Sequence, residues 1–171
     1  AHYNTSTEEA YALSRESVFQ EHGISLYRCD LTDHIAVERL WQTAGSELGP
    51  IKIAVINAGY LNETVTPLKD LELLQWRETL EGNLTTAFLT LREFVRGVER
   101  WNISDPAAVI ISSMSGVWGQ PGHGDYAAAK AAINYGLLPT LKDELVRIAP
   151  RGRVNSICPG FVATRMIRKK L

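Results

Sequence analysis

Short apolar, β-branched runs alternate with long amphipathic stretches throughout this 171-residue chain, and no other feature restricts its possible folds as much. The run Ser25-Leu-Tyr-Arg-Cys29 predicts a strand. Thr32-Asp33 then offers an N-cap for a helix carrying Ile35, Leu40, Trp41, Ala44 and Leu48, which Gly49-Pro50 stops. Ile51–Ile56 is a run of the kind buried inside a parallel sheet. A long amphipathic helix is expected from about Leu71 to Arg100, with Trp76, Leu80, Leu84, Phe88, Leu91 and Val95 on one stripe. Strand Ala107–Ser112, helix Tyr126–Val146 and strand Arg153–Cys158 complete the alternation. Strands alternating with helices predict crossover units and an α/β parallel sheet covered on both faces, built as one domain over residues 1–171.

In such a sheet, ligands bind beyond the carboxyl ends of the strands. The polar and glycine-containing stretches collect there: Asp30 after the first run, Asn57-Ala58-Gly59 after the second, Ser113 after the third, Pro159-Gly160 after the fourth. A net charge of −1 gives no electrostatic reason to expect nucleic acid or an anionic membrane as partner. No apolar run approaches the roughly 20 residues that span a bilayer, and no charged-then-apolar leader opens the chain. Cys29 and Cys158 lack metal-ligand company and read as buried, reduced thiols, in keeping with a cytoplasm-like compartment and no metal site.

Tyr126 and Lys130 stand one helical turn apart in Asp125-Tyr-Ala-Ala-Ala-Lys130, so both side chains leave the same helix face. An ammonium close to a phenol favours phenolate and is expected to bring its pKa down from about 10. Such a tyrosine exchanges protons near neutral pH, and a serine hydroxyl from Ile-Ile-Ser-Ser-Met-Ser-Gly116 can hold a substrate oxygen beside it.

Asp30-Leu31, Asn57-Ala58-Gly59, Asn83, Ser113, Tyr126-x-x-x-Lys130 and Pro159-Gly160 with Thr164, in that order, resemble the short-chain dehydrogenase/reductase family. That resemblance implies a Rossmann-like, doubly wound, three-layer α/β/α fold and hydride transfer between a nicotinamide and the carbonyl or alcohol carbon of a small substrate. By the family's spacing to the tyrosine, the resemblance implies Ser113 rather than Ser112 as the residue that polarises the substrate oxygen, with Ser115 as a second hydrogen-bonding group. Tyr126 would move the proton, and Lys130 would lower its pKa and hold the nicotinamide ribose. The main chain of Asn83 would hold a water on a proton path to Lys130. The carboxylate of Asp30, beside Leu31, would meet the adenine amine. Gly59, free to take positive φ, would let the backbone approach the nucleotide. Pro159, Gly160, Val162 and Thr164 would wrap the nicotinamide.

Tyr3-Asn-Thr-Ser6 carries no carboxylate to repel a 2′-phosphate, so NADP(H) is expected over NAD(H). The opening Tyr-Asn-Thr-Ser and the run Tyr-Ala-Ala-Ala-Lys-Ala-Ala-Ile-Asn look most like fungal polyol and ketose reductases. The family's first strand, glycine-rich turn and first helix should precede Ala1, and its last helix and strand should follow the lid that begins at Arg165. Without the first strand, Ile51–Ile56 is expected to lack a neighbour, Ser25–Cys29 to have almost nothing to pair with, and nucleotide binding by these residues alone to be weak. Pro139 should kink or break the Tyr126 helix beyond Lys130. That helix and the long one before it form the family's usual tetramer core, so a homo-tetramer or dimer is expected of a longer chain. Two other readings stand beside the oxidoreductase: a silent binding protein built from a truncated dehydrogenase, and an epimerase or dehydratase that retains its cofactor.

Overall fold

The strands of the larger parallel sheet form where the sequence is rich in Ile and Val, and amphipathic helices carry the chain back between them. The computed structural model describes residues 1–16 and 21–162. The described elements are β1 (His2–Tyr3), α1 (Thr7–Ser14), β2 (Tyr27–Arg28), α2 (His34–Leu48), β3 (Ile53–Ile56), α3 (Leu73–Leu80), α4 (Thr86–Arg100), β4 (Ala107–Ile111), α5 (Ser115–Trp118), α6 (Gly124–Ala132), α7 (Leu138–Ile148) and β5 (Arg153–Ile157). A short 3₁₀ turn covers Leu68–Asp70.

The strands form two parallel sheets, β1-β2 and β3-β4-β5. In the larger sheet Ile53 pairs with Ala107 and Ala107 with Arg153, so the three carboxyl ends lie side by side. The strand Ser25–Cys29 shortens to Tyr27–Arg28 and does find a partner, pairing in register with His2–Tyr3. β3 has β4 as its one strand neighbour among the described residues, in line with the missing neighbour expected from the sequence.

Alternate residues decide the faces. Ala54, Ile56, Ala108, Ile110 and Val154 point into the main core, against Ala87, Leu91, Phe94 and Val98 of α4 and Leu141 and Leu145 of α7. Ile53 and Val55 point the other way and are 68% and 63% exposed, so among the described residues the layer of helices lies on one face of this sheet. Cys29, Leu31, Val37 and Leu89 form a smaller core, with Ala58 packed against it.

Helix α2 begins where Asp33 caps it, its carboxylate accepting from the amides of Ile35 and Ala36 at 2.9 and 3.2 Å. It ends at Gly49, whose φ of 79° an L side chain rarely adopts. Its buried residues are Val37, Ala44 and Gly45, while Ile35 and Leu48 at its two ends are exposed.

The long helix is interrupted by a π turn over Glu81–Thr85, between α3 and α4. Asn83 explains it: its side-chain amide donates to the Thr79 carbonyl at 2.9 Å, occupying an acceptor of the helical ladder. The buried stripe is Thr79, Asn83, Ala87, Leu91, Phe94 and Val98; of the expected stripe Leu91 is buried and Leu84 and Val95 pack against the core, while Phe88 is exposed and Trp76 and Leu80 are half-buried. A second π turn, Ile133–Leu137, joins α6 to α7. Pro139 sits in the first turn of α7, where its missing N–H costs least. The expected break is therefore a widened turn through which the helix continues to Ile148, leaving the Tyr126–Lys130 turn regular.

Candidate active site

Lys130 is anchored first. It is 4% exposed, and its Nζ donates to the carbonyl of Ile111, the last residue of β4, at 3.2 Å. A Cβ on Gly59 would lie 3.4 Å from that Nζ and 3.1 Å from Asn83 Oδ1, so the loop after β3 passes close over the ammonium. Gly59 is not among the glycines with positive φ; closeness, not left-handed backbone, is what its hydrogen side chain permits, which corrects the expectation from sequence. Gly116 brings α5 equally close: a Cβ there would stand 2.6 Å from the Lys130 carbonyl carbon.

Asn83 latches the same loop. Fully buried, it donates from Nδ2 to the Tyr60 carbonyl at 2.6 Å and accepts at Oδ1 from the Tyr60 amide at 3.2 Å. The polar residue mid-helix thus fastens β3's trailing loop to the α3–α4 junction. Its own carbonyl accepts from the Thr86 hydroxyl at 3.3 Å.

Tyr126 lies in the first turn of α6 with Ser113 nearby, and the Lys130 ammonium stands 5.6 Å from the centre of its ring. Burial pushes the Tyr126 phenol above its ordinary value, and a hydrogen bond with Ser113 offsets part of that rise. The net shift of the phenol is upward, where the sequence leads us to expect a lowering by Lys130. Lys130 sits over the ring, is tied to a carbonyl, and burial lowers its own pKa, while the nearby Cys158 acts the other way. The protein's own groups therefore hold Tyr126 as a protonated phenol at neutral pH.

Ser113 is 9% exposed and receives the Ser115 amide at 3.1 Å. Its hydroxyl donates to Ser115 Oγ at 3.1 Å, and Ser115 in turn donates to Gln120 Oε1 at 2.5 Å. Gly119 and Gly122, with φ of 76° each, shape the turn that presents Gln120. The amide of Thr66 donates to the Gly122 carbonyl at 2.9 Å, joining this turn to the loop after β3.

Asp125, which the sequence reading did not single out, is 2% exposed. It accepts from the Thr79 hydroxyl at 2.7 Å, the Gln75 amide at 3.2 Å and the Tyr126 backbone N–H at 2.9 Å. Burial pushes its carboxyl up, but these hydrogen bonds outweigh it and leave the group below the usual carboxylate range. The carboxylate therefore clamps the start of the tyrosine helix to α3. The hint in the sequence was an acidic residue in the first turn of a helix, a favoured place for negative charge.

Ser112–Ser115, Gln120, His123 and Tyr126 open onto a cleft of about 730 Å³, whose other wall includes Pro159, Gly160 and Val162. Asn57 and Ala58 stand at the carboxyl end of β3, with Ala58 reaching the smaller core. Asp30 and Leu31 lie past β2. One Asp30 oxygen is already occupied by the amide and hydroxyl of Thr32, at 2.9 and 2.8 Å, and Leu31 is buried in that core. Cys29 is buried and Cys158 half-buried, both as free thiols. Thr164 and the segment from Arg165 lie outside the described residues. No group of metal-ligating side chains and no helix long and apolar enough to cross a membrane occurs among the described residues.

The sequence profile of the short chain dehydrogenase family matches residues 2–171. An acetoacetyl-CoA reductase of Rhizobium meliloti is 34% identical over 169 residues, 98% of this chain and 65% of that protein. A cis-4-hydroxycyclohexanecarboxylate dehydrogenase of Sinomonas cyclohexanicum is 33% identical, covering 82% of this chain and 54% of its own. A solved structure from Burkholderia xenovorans, assigned to the short-chain dehydrogenase/reductases, superposes with a TM-score of 0.78 at 32% identity, over 93% of this chain and 60% of that one. The chain belongs to the short-chain dehydrogenase family and has its Rossmann-like α/β fold. It spans 54–65% of the length of the curated relatives it matches.

Proposed function

We propose that this chain carries the catalytic half of a nicotinamide-dependent oxidoreductase that reduces a ketone, or oxidises the matching secondary alcohol, of a small molecule. One observation carries the reading: Ser113, Tyr126 and Lys130 converge beside an open cleft at the carboxyl ends of β3, β4 and β5. The nucleotide supplies the hydride when bound. Ser113 orients the substrate oxygen, turning its hydroxyl from Ser115 toward the incoming carbonyl. Tyr126, kept protonated by burial, gives up its proton to that oxygen, which suits the reducing direction at neutral pH. Lys130 and the Asn83-latched loop define the edge along which the nicotinamide ribose would lie, and Asn57–Gly59 lets the nucleotide approach. Pro159, Gly160, Val162 and Thr164 would border the nicotinamide, and Asp30 and Leu31 the adenine.

NADP(H) is favoured as cofactor. The segment after β1 offers no carboxylate, and Arg28 places a cation beside it, its Nε donating to the Asn4 carbonyl at 3.1 Å. The sequence reading overlooked this arginine, because it belongs to a different strand. The rate of NADPH oxidation with a panel of neutral ketones, set against NADH, tests both points. The expected result is turnover above the substrate-free rate, faster with NADPH, with Arg28→Ala narrowing the preference about ten-fold, the loss of one charge-assisted hydrogen bond. Equal rates with both nucleotides would contradict the cofactor assignment.

A homo-tetramer or dimer in the cytoplasm is the companion proposal. The exposed side chains of Phe88 on α4, Tyr135 in the π turn and Val146 on α7 supply apolar surface for it.

A further inference from the structure

A proton donor works only within about 2.6–3.2 Å of the oxygen it serves, and a misplacement of about 1 Å costs on the order of 10²-fold in rate. Yet Tyr126 stands in the first turn of α6, where helices fray and the first amides lack intrahelical acceptors. Three alanines follow it, so its own helix offers little bulk to hold that turn. The residues that α6 buries are Asp125, Ala129 and Lys130, which leaves Asp125 as the buried group of the first turn.

Asp125 divides its two oxygens between its own turn and a neighbouring helix. Oδ1 accepts from the Tyr126 amide, and Oδ2 accepts from the Thr79 hydroxyl and the Gln75 side-chain amide. Both of those donors belong to α3. The Thr79 carbonyl also receives Asn83, the residue that latches the loop at Tyr60. On the other side, the Thr66 hydroxyl donates to Gln75 Oε1 at 3.5 Å, and the Thr66 amide holds Gly122, just before α6. One carboxylate thus ties the backbone of the proton donor to the helix that fixes the loop over Lys130.

We propose that Asp125 is a positioning residue for the proton-transfer step. Without touching substrate, it sets the height of Tyr126 along α3, and so the distance from the phenol to the oxygen that Ser113 orients. This assignment rests on the oxidoreductase reading of the same cleft. An ionised carboxylate suits the place because it only accepts, and three donors converge on it.

Ketone reduction by the intact protein and its nucleotide, measured well below the Tm of each variant, tests the role. Asp125→Ala should lower kcat by about ten- to a hundred-fold, the scale of a misplaced reacting group, with both KM values nearly unchanged. Asp125→Asn should recover most of that loss. Its Oδ1 still serves the Tyr126 amide, and Thr79 and Gln75 can both turn to accept from its Nδ2. Thr79→Val, which removes the hydroxyl at similar size, should lower kcat in the same sense and add little to Asp125→Ala, because the two share one contact. Tyr126 is also read without turnover, by the fluorine resonance of protein grown on 3-fluorotyrosine and assigned with Tyr126→Phe. That resonance should move in Asp125→Ala and return in Asp125→Asn. If the parent reduces no ketone while the resonance behaves so, the oxidoreductase reading falls and the placement of Tyr126 by Asp125 stands. A lower Tm with kcat and the resonance unchanged would make Asp125 a structural clamp only and overturn the proposal, as would a loss carried by KM. If Asp125→Ala does not fold, Thr79→Val decides, and an unchanged kcat there overturns it.

Discussion

Replacing Tyr126 with Phe should lower kcat for ketone reduction by about 10²–10⁴-fold, the usual contribution of a positioned proton donor, with KM changing little. The substitution removes one oxygen and leaves the ring under the Lys130 ammonium, so the packing of α6 survives. The pH dependence carries a sign. Burial raises the Tyr126 pKa, so the phenol stays protonated through neutral pH. Reduction, which needs the proton, should hold steady across neutral pH and fall only in alkali. Alcohol oxidation, which needs the phenolate, should rise with pH over the same range. Steady-state rates of both directions against pH check this; equal wild-type and Tyr126→Phe rates would contradict the role. The opposite pH trends would contradict the direction of the shift.

The second large effect is structural. Asn83→Ala should destabilise the fold by about 2–4 kcal/mol, because it strands the buried carbonyl of Thr79 and both polar groups of Tyr60. For a chain of this size that corresponds to a fall in Tm on the order of 10 °C. It should also cut kcat/KM, since the freed Gly59–Tyr60 loop no longer passes over Lys130. Thermal unfolding followed by circular dichroism checks the first effect. A Tm within a degree of the parent would mean that the latch holds nothing.

Most of the site was legible because its parts are local. Tyr126 and Lys130 share one turn of helix, Ser113 follows a strand whose Ile and Val content identifies it, and Asn57–Gly59 follows another. What escaped depended on partners distant in the chain. Apolar periodicity put Trp76, Leu80 and Phe88 on one stripe. Thr79 and Asn83 took the buried face instead, because Asp125 and Tyr60, respectively 46 and 23 residues away, satisfy them there. A hydrophobic pattern cannot register a polar residue whose burial is made possible by a bond it does not encode. The same applies to Asp125 itself, a carboxylate whose three donors come from one distant helix, α3, and from its own turn. The expected lowering of the Tyr126 pKa failed for another reason. Spacing sets the face on which two side chains emerge, but the depth of burial and the Ile111 carbonyl decided the electrostatics.

The unpaired flank of β3 was also readable, whereas the partner that β2 finds in His2–Tyr3 was not. Strand lengths were overestimated at one end in β3, β4 and β5 and at both ends in β2, since the runs continue into loops that do not pair. Leu31 shows that such a loop still packs: it lies beyond β2 yet is buried in the smaller core.

The account depends most on hydride transfer taking place at the Ser113–Tyr126 face of the cleft. Incubation of the protein with a neutral ketone and nicotinamide nucleotide deuterated at C4, followed by mass spectrometry of the alcohol, measures that directly. The account predicts deuterium on the carbinol carbon, in one stereochemical sense. An alcohol formed without the label, or no alcohol at all from protein that demonstrably binds the nucleotide, would contradict it.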